Sequence, residues 1–207
     1  MPAWWQRLCG RGSGARLLVG LGNPEPRYAG TPHNVGFEVV DCLAEQLQVE
    51  LPARRRFQAR LAQTVWQGRK LWLAQPLTYM NNSGQAVARL MRAGGIRPAD
   101  MVVVLDDIDL PLGRIRIRPA GSDAGHRGLR SVCQSIGSDE FVRVRLGVGR
   151  PGSARVVDHV LTTFPPPARP LAKRMVRIAA DAVLRIMDGG GAAAMNEYNN
   201  RREQAES

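Results

Sequence analysis

The twenty residues LLVGLGNPEPRYAGTPHNVG, Leu17 to Gly36, decide the fold. Leu17, Leu18, Val19 and Leu21 ask for a buried sheet position, while Gly20, Gly22 and Pro24 turn the backbone sharply and let a ligand approach it closely. A polar site therefore belongs at a strand end. His33 follows Asn23 by ten residues and stands directly before a helix-like stretch, which makes it the candidate working base.

Outward from there, Val39, Val40, Leu43, Ala44 and Leu47 recur at helical spacing, predicting a helix over Val35 to Val49 closed by Pro52. The segment FQARLAQTVWQGRKLWLAQP, residues 57–76, reads as two alternating strands around Gln67-Gly68. A turn over Thr78 to Gly84 leads to a helix through Gln85 to Ala93 that stops at Gly94-Gly95. Met101 to Leu105 is nearly continuous apolar sequence, the mark of a central strand covered on both faces. It delivers Asp106, Asp107 and Asp109 to its carboxyl end, where ligands of open α/β sheets bind. Arg114 to Arg118 and Phe141 to Val148 read as further strands. Between them lie a small-residue loop, Gly121 to Gly128, and an amphipathic helix with Leu129, Val132 and Ile136 on one side. Ala168 to Met187 reads as a long helix behind Pro165-Pro166-Pro167, and Gly189-Gly190-Gly191 permits one more short helix or a frayed tail. The alternation predicts the α/β class: a single globular domain with a twisted mixed β-sheet surrounded by α-helices. At 207 residues and 44% apolar content the chain suits one core better than two.

The formal charge of +11 points to a polyanionic partner, nucleic acid first, because a basic surface attracts phosphates and speeds their encounter. Of 29 basic residues only Lys70 and Lys173 are lysine, a ratio that nucleotide composition can explain; the placement of the arginines it does not. Cys9, Cys42 and Cys133 are odd in number and widely spaced, so neither a disulfide framework nor a zinc site is expected, and a reducing cytoplasm fits. No run of eighteen apolar residues exists to span a membrane.

Gly20-x-Gly22 after a strand hints at a dinucleotide fingerprint. The third glycine is missing, however, and Asn23-Pro24 stands where a phosphate-binding helix would begin. Metal-type histidine spacing and a G-x-S-x-G elbow are absent, so metal and serine-triad chemistry have little support. An isolated histidine is more often structural than catalytic. His33 gains from its context, since Asp106 at a neighbouring strand end can accept its second N–H, fix the tautomer and raise its basicity. The aspartates have a plainer reading as turn caps, and Asn23, Asn81 and Asn82 one as turn residues; Asn23 and Asn81 also offer neutral donors and acceptors to an amide or a water.

Arg114, Arg116 and Arg118 recur at period two, as do Arg143 and Arg145, so each set shares one face of its strand, which should exclude those faces from the core. With Arg127, Arg130 and Arg150 they read as a phosphate-binding stripe, the alternative being an ordinary solvated sheet face.

Six ordered blocks resemble the bacterial-type peptidyl-tRNA hydrolases: GLGNP with Tyr28, T-x-HN-x-G at Thr31 to Gly36, P-x-TYMN-x-SG at Pro76 to Gly84, DD-x-DLP-x-G at Asp106 to Gly113, G-x-x-x-GHRG at Gly121 to Gly128, and F-x-R-x-RLGVGRP at Phe141 to Pro151. The resemblance implies cleavage of the ester between a nascent peptide and the 3'-terminal ribose of tRNA, recycling peptidyl-tRNA in translation and ribosome rescue. The implied protein is a cytoplasmic monomer with no cofactor, no metal, no membrane contact and no obligate protein partner. By the same resemblance His33 is the base, Asp106 its orienting carboxylate, and Asn23 and Asn81 the asparagines that place substrate and water. Tyr28 and Met80 line the cleft, His126 lies near the tRNA end, and Arg118 and Arg145 clamp a tRNA phosphate.

One departure stands out: the family usually has Asn after the loop histidine, and here Arg127 replaces it with a group that only donates, suited to a phosphate. It is the one feature leaning toward a non-catalytic RNA-binding module of the same fold, like the related splicing factors. Residues 1–16 are expected to form a disordered basic extension, 17–201 the catalytic domain and 202–207 a C-terminal tail.

Overall fold

The computed structural model describes residues 15–152, 155–189 and 191–200; most of the expected basic extension and the whole C-terminal tail lie outside the described residues. Seven strands form one sheet in the order β2 (Ala53–Arg54), β3 (Ala59–Trp66), β4 (Arg69–Pro76), β1 (Arg16–Gly20), β5 (Met101–Asp107), β7 (Val142–Gly147), β6 (Ile115–Arg118). The four inner strands β4, β1, β5 and β7 run parallel, and antiparallel strands close each side, so the sheet is mixed as expected. Every residue of β1 and β5 is buried, which is why their sequences are nearly all apolar rather than alternating. β3 and β4 meet at Gln67-Gly68, both at positive φ (48° and 73°), the conformation a tight hairpin turn requires.

Period-two alternation sorts the side chains into two layers. On one face Leu18, Leu73, Val102, Val104 and Val144 pack under α1 (Val35–Gln46), α5 (Arg169–Met187) and α6 (Gly191–Asn200). On the other, Leu17, Val19, Leu61, Val103 and Leu105 pack under α2 (Ser83–Gly94) and α3 (Arg127–Ile136). Each such aliphatic side chain contributes about 1.5–3 kcal/mol by leaving water.

The start of α1 is pressed directly onto the strands. A Cβ on Gly36 would stand 2.5 Å from the carbonyl oxygens of Leu21 and Val104, and one on Gly20 would stand 2.1 Å from Gly36 O. Only glycine at both positions lets the helix come this close, and that approach carries His33, two residues before the helix begins, to the end of β5.

Several boundaries differ from the sequence reading. β1 begins at Arg16, inside the expected extension, because Arg16 is buried and its guanidinium donates to Met187 O. α1 stops at Gln46, where Gln48 turns left-handed (φ 54°) and Val49 N caps Ala44 O. α2 starts two residues early, at Ser83, whose hydroxyl donates to Met80 O. β5 extends through Asp107, and a six-residue helix, α4 (Val156–Leu161), had no periodic signal long enough to announce it.

The expectation that the arginine faces stay out of the core fails at Arg143, which is fully buried. Its register partner in β5 is Val103, so period two places it on the layer that α3 covers. The guanidinium lies 4.5 Å from the Phe141 ring centroid and donates from Nη2 to Asp139 O at 3.0 Å, and burial pulls its pKa down. Arg118, its opposite neighbour on the antiparallel edge strand, is exposed.

Candidate active site

At the carboxyl ends of β1 and β5, the 3-10 turn Pro32–Asn34 and the first residue before α3 deliver two histidines to one carboxylate. His33 Nδ1 lies 2.8 Å from Asp106 Oδ1, and His126 Nε2 lies 3.0 Å from the same oxygen. Their rings stand 5.0 Å apart between centroids. His126 Nδ1 accepts the backbone N–H of Leu129 at 3.1 Å, capping α3, so the proton of this ring sits on Nε2 and is donated to Asp106. His33 likewise donates from Nδ1, which leaves its Nε2 with a free lone pair and no partner among the described residues.

Asp106 is almost wholly buried. Burial opposes its ionisation, but attraction to His126 and His33 and the hydrogen bonds from both outweigh that and hold the carboxyl well below the usual carboxylate range. The ligand atoms of His33, Asp106 and His126 lie within 4.8 Å of one another, close enough for one ion, yet here they are engaged in hydrogen bonds with each other.

Asn23 is fixed by three contacts. Its N–H donates to Asn34 Oδ1 (2.8 Å), its carbonyl accepts from Asn34 Nδ2 (3.0 Å), and its side-chain Oδ1 accepts from Met80 N (3.0 Å). With Oδ1 occupied, the amide orientation is set and Nδ2 is left as a donor with no partner among the described residues. Asn34 was not singled out in the sequence; the pairing of HN with the Gly-Asn-Pro turn eleven residues earlier was the only signal.

These groups open onto a hollow of about 520 Å³, which Asn23, Tyr28, His33, Met80, Asn81, Asp106, His126, Arg127 and Arg145 all line. Nine of the ten expected site residues are thus brought together. Arg118 is not among the lining residues and stands outside on the edge strand. Arg145 is held by Asp107 Oδ2 (3.1 Å) and Ser122 O (2.7 Å), and Arg127 is exposed with no ion pair among the described residues. Asp107 also caps Asp109 N at 2.9 Å, which is the turn role anticipated for one of these aspartates. Part of the lining is apolar and unanticipated: Ile108 with Val156, Val157, Val160 and Leu161 of α4. His159 Nε2 donates to Val148 O at 3.1 Å and ties α4 to the end of β7.

A buried carboxylate, an imidazole with its outer nitrogen free, and a neutral N–H donor facing the same hollow are suited to base-assisted attack of water on a carbonyl. The family model described as peptidyl-tRNA hydrolase matches residues 17–206. Among similar proteins, the peptidyl-tRNA hydrolase of Synechococcus sp. (strain JA-3-3Ab) is 46% identical over 185 residues, covering 89% of this chain and 82% of the relative. That of Lactococcus lactis subsp. cremoris is 41% identical, covering 89% and 99%. The crystal structure of peptidyl-tRNA hydrolase from Acinetobacter baumannii superposes with a TM-score of 0.87 at 34% identity, over 93% of this chain and 98% of that one.

Proposed function

The chain belongs to the peptidyl-tRNA hydrolase family, an enzyme family that cleaves an ester bond, and from that premise we propose how its residues do the work. The observation that carries the proposal is the hydrogen bond from His33 Nδ1 to Asp106 Oδ1, which leaves Nε2 facing the hollow as a base. A water beside Nε2 attacks the ester carbonyl that joins the peptide to the 3'-terminal ribose. His33 takes the water's proton, Asp106 stabilises the imidazolium, and the tetrahedral intermediate carries its negative oxygen toward the free N–H of Asn23. As the intermediate collapses, the C–O bond to ribose breaks and the imidazolium returns the proton to the departing 3'-oxygen. The peptide leaves as an acid and the tRNA with its hydroxyl restored, so no cofactor enters the balance.

Asn81, exposed at the rim, is the second asparagine that holds the attacking water or the peptide amide. Tyr28 and Met80 shape the cleft, and His126 fixes Asp106. Arg145, Arg118 and Arg127 meet phosphates of the RNA, with Arg127 supplying a bidentate donor where the family pattern has Asn. The protein is read as a cytoplasmic monomer acting in translation and ribosome rescue; among the described residues no helix is long and apolar enough to cross a membrane. Arg127 alone leans toward a non-catalytic RNA-binding module of this fold, and His33, Asp106, Asn23 and Asn81 standing together weigh against it. Incubation with tRNA carrying a labelled N-blocked amino acid tests the reading. Release of the labelled acid is expected, and tRNA binding without release would reassign the chain as a binder.

A further inference from the structure

We propose that Arg54, Arg55 and Arg56, on the sheet edge across the hollow from Arg145, form a second phosphate-contact surface for the RNA; this rests on the reading of peptidyl-tRNA as substrate. All three side chains are exposed and make no ion pair or hydrogen bond among the described residues. They occupy β2 and the 3-10 turn Arg55–Phe57, whose end is pinned by Leu77 N donating to Gln58 O at 2.7 Å. Leu77 stands two residues before Tyr79, which lines the hollow, so by way of that hydrogen bond Arg56 lies no more than about 20 Å from its rim. Arg56 is held over the Phe57 ring at 5.0 Å, which limits the ordering cost of a contact.

The ladder gives the direction. Arg54 is opposite Ala59, and Ala59 opposite Pro76, so Arg54 shares the sheet face of Ala59, the face covered by α2 and α3. Arg145 is opposite Leu105 on that same face. Five strand spacings of about 4.8 Å place the two arginines roughly 24 Å apart, with the catalytic hollow between them. An occupant that reaches both while presenting one ester to His33 must carry phosphates spread over that span. A folded RNA does so, whereas a mononucleotide does not.

Charged side chains on an edge strand also discourage edge-to-edge pairing, and that role alone would leave RNA affinity untouched. The test is the full chain with Arg54→Gln, Arg55→Gln and Arg56→Gln combined, titrated with deacylated tRNA across a salt series and assayed with N-blocked aminoacyl-tRNA. The expected result is a log Kd against log salt slope shallower by about 1.5, the loss of two phosphate contacts, with Kd and KM raised about tenfold and kcat unchanged. The matching triple substitution to Lys should restore the slope, because charge rather than packing is at stake. An unchanged slope in the Gln variant overturns the inference, as does a loss confined to binding of phosphatidylglycerol vesicles, which would mark a lipid-facing surface. A wild-type chain that neither binds nor cleaves the tRNA removes the substrate reading itself, an outcome distinct from both.

Discussion

His33 and His126 donate to the same oxygen, Oδ1 of Asp106, at 2.8 and 3.0 Å. One carboxylate therefore fixes two rings, and of the two only the His33 ring keeps an outer nitrogen without a partner among the described residues, since Nδ1 of His126 is engaged by the N–H of Leu129. On the proposed mechanism the roles separate on that basis: His33 is to move the proton, and His126 to position the group that makes this possible.

Replacing Asp106 by Asn removes the charge that holds the imidazolium and lets the His33 ring take the wrong tautomer. A fall in kcat of about 10²–10⁴-fold is expected, with tRNA affinity nearly unchanged. His126→Ala leaves Asp106 ionised and bonded to His33, so a smaller loss, about tenfold, is expected. Equal losses in the two variants, measured by single-turnover cleavage, would erase the distinction.

Acid stability gives a second reading of the same carboxylate. Folded Asp106 binds its proton less tightly than the unfolded chain does, because its pKa is depressed in the fold. Its stabilising contribution is therefore complete above the ordinary Asp value of about 3.9 and falls away as pH drops toward the folded value. Between about pH 5 and pH 3 the urea midpoint of the wild type should decline more steeply than that of Asp106→Asn. Parallel declines would contradict the depressed value.

Asn34 holds the backbone of Asn23 through both its N–H and its carbonyl. Asn34→Ala leaves two buried backbone groups unpaired and should cost about 1–3 kcal/mol in chemical denaturation. Asn23→Ala removes the proposed oxyanion donor and should lower kcat by about 10²-fold. A normal kcat in Asn23→Ala would move the oxyanion contact elsewhere.

Arg145 is bonded to Asp107, and on the proposed reading it meets a phosphate of the RNA, so its loss should weaken tRNA binding and reduce the salt slope by about one unit. Filter binding of Arg145→Ala across a salt series checks this. An unchanged slope would count against a phosphate contact.

Much of this site was legible in the chain because backbone geometry wrote it there. The apolar run ending in Asp106 and the glycine turn before His33 both mark strand ends, and strand ends of a parallel sheet converge. The hairpin at Gln67-Gly68 was legible for a similar reason, a local conformation demanding a particular residue pair. What period two cannot say is which stretch of a sheet face a helix covers. Arg143 and Arg118 share a face and a register row, yet one lies beneath α3 and the other on the open edge. Asn34 was obscure because a single polar residue in a loop carries no sign of what it will meet; His126 was expected near the tRNA end, but nothing in the sequence said that it would share Asp106 with His33. The apolar wall of α4 was hidden by its shortness.

Single-turnover cleavage of N-blocked aminoacyl-tRNA by His33→Ala tests the central claim most directly, with tRNA affinity measured on the same protein. The expected result is cleavage reduced to near the uncatalysed level while tRNA still binds within about threefold of the wild type, since His33 acts on the ester and leaves the phosphate contacts intact. Cleavage near the wild-type rate would show that the imidazole at the end of β5 is not the base.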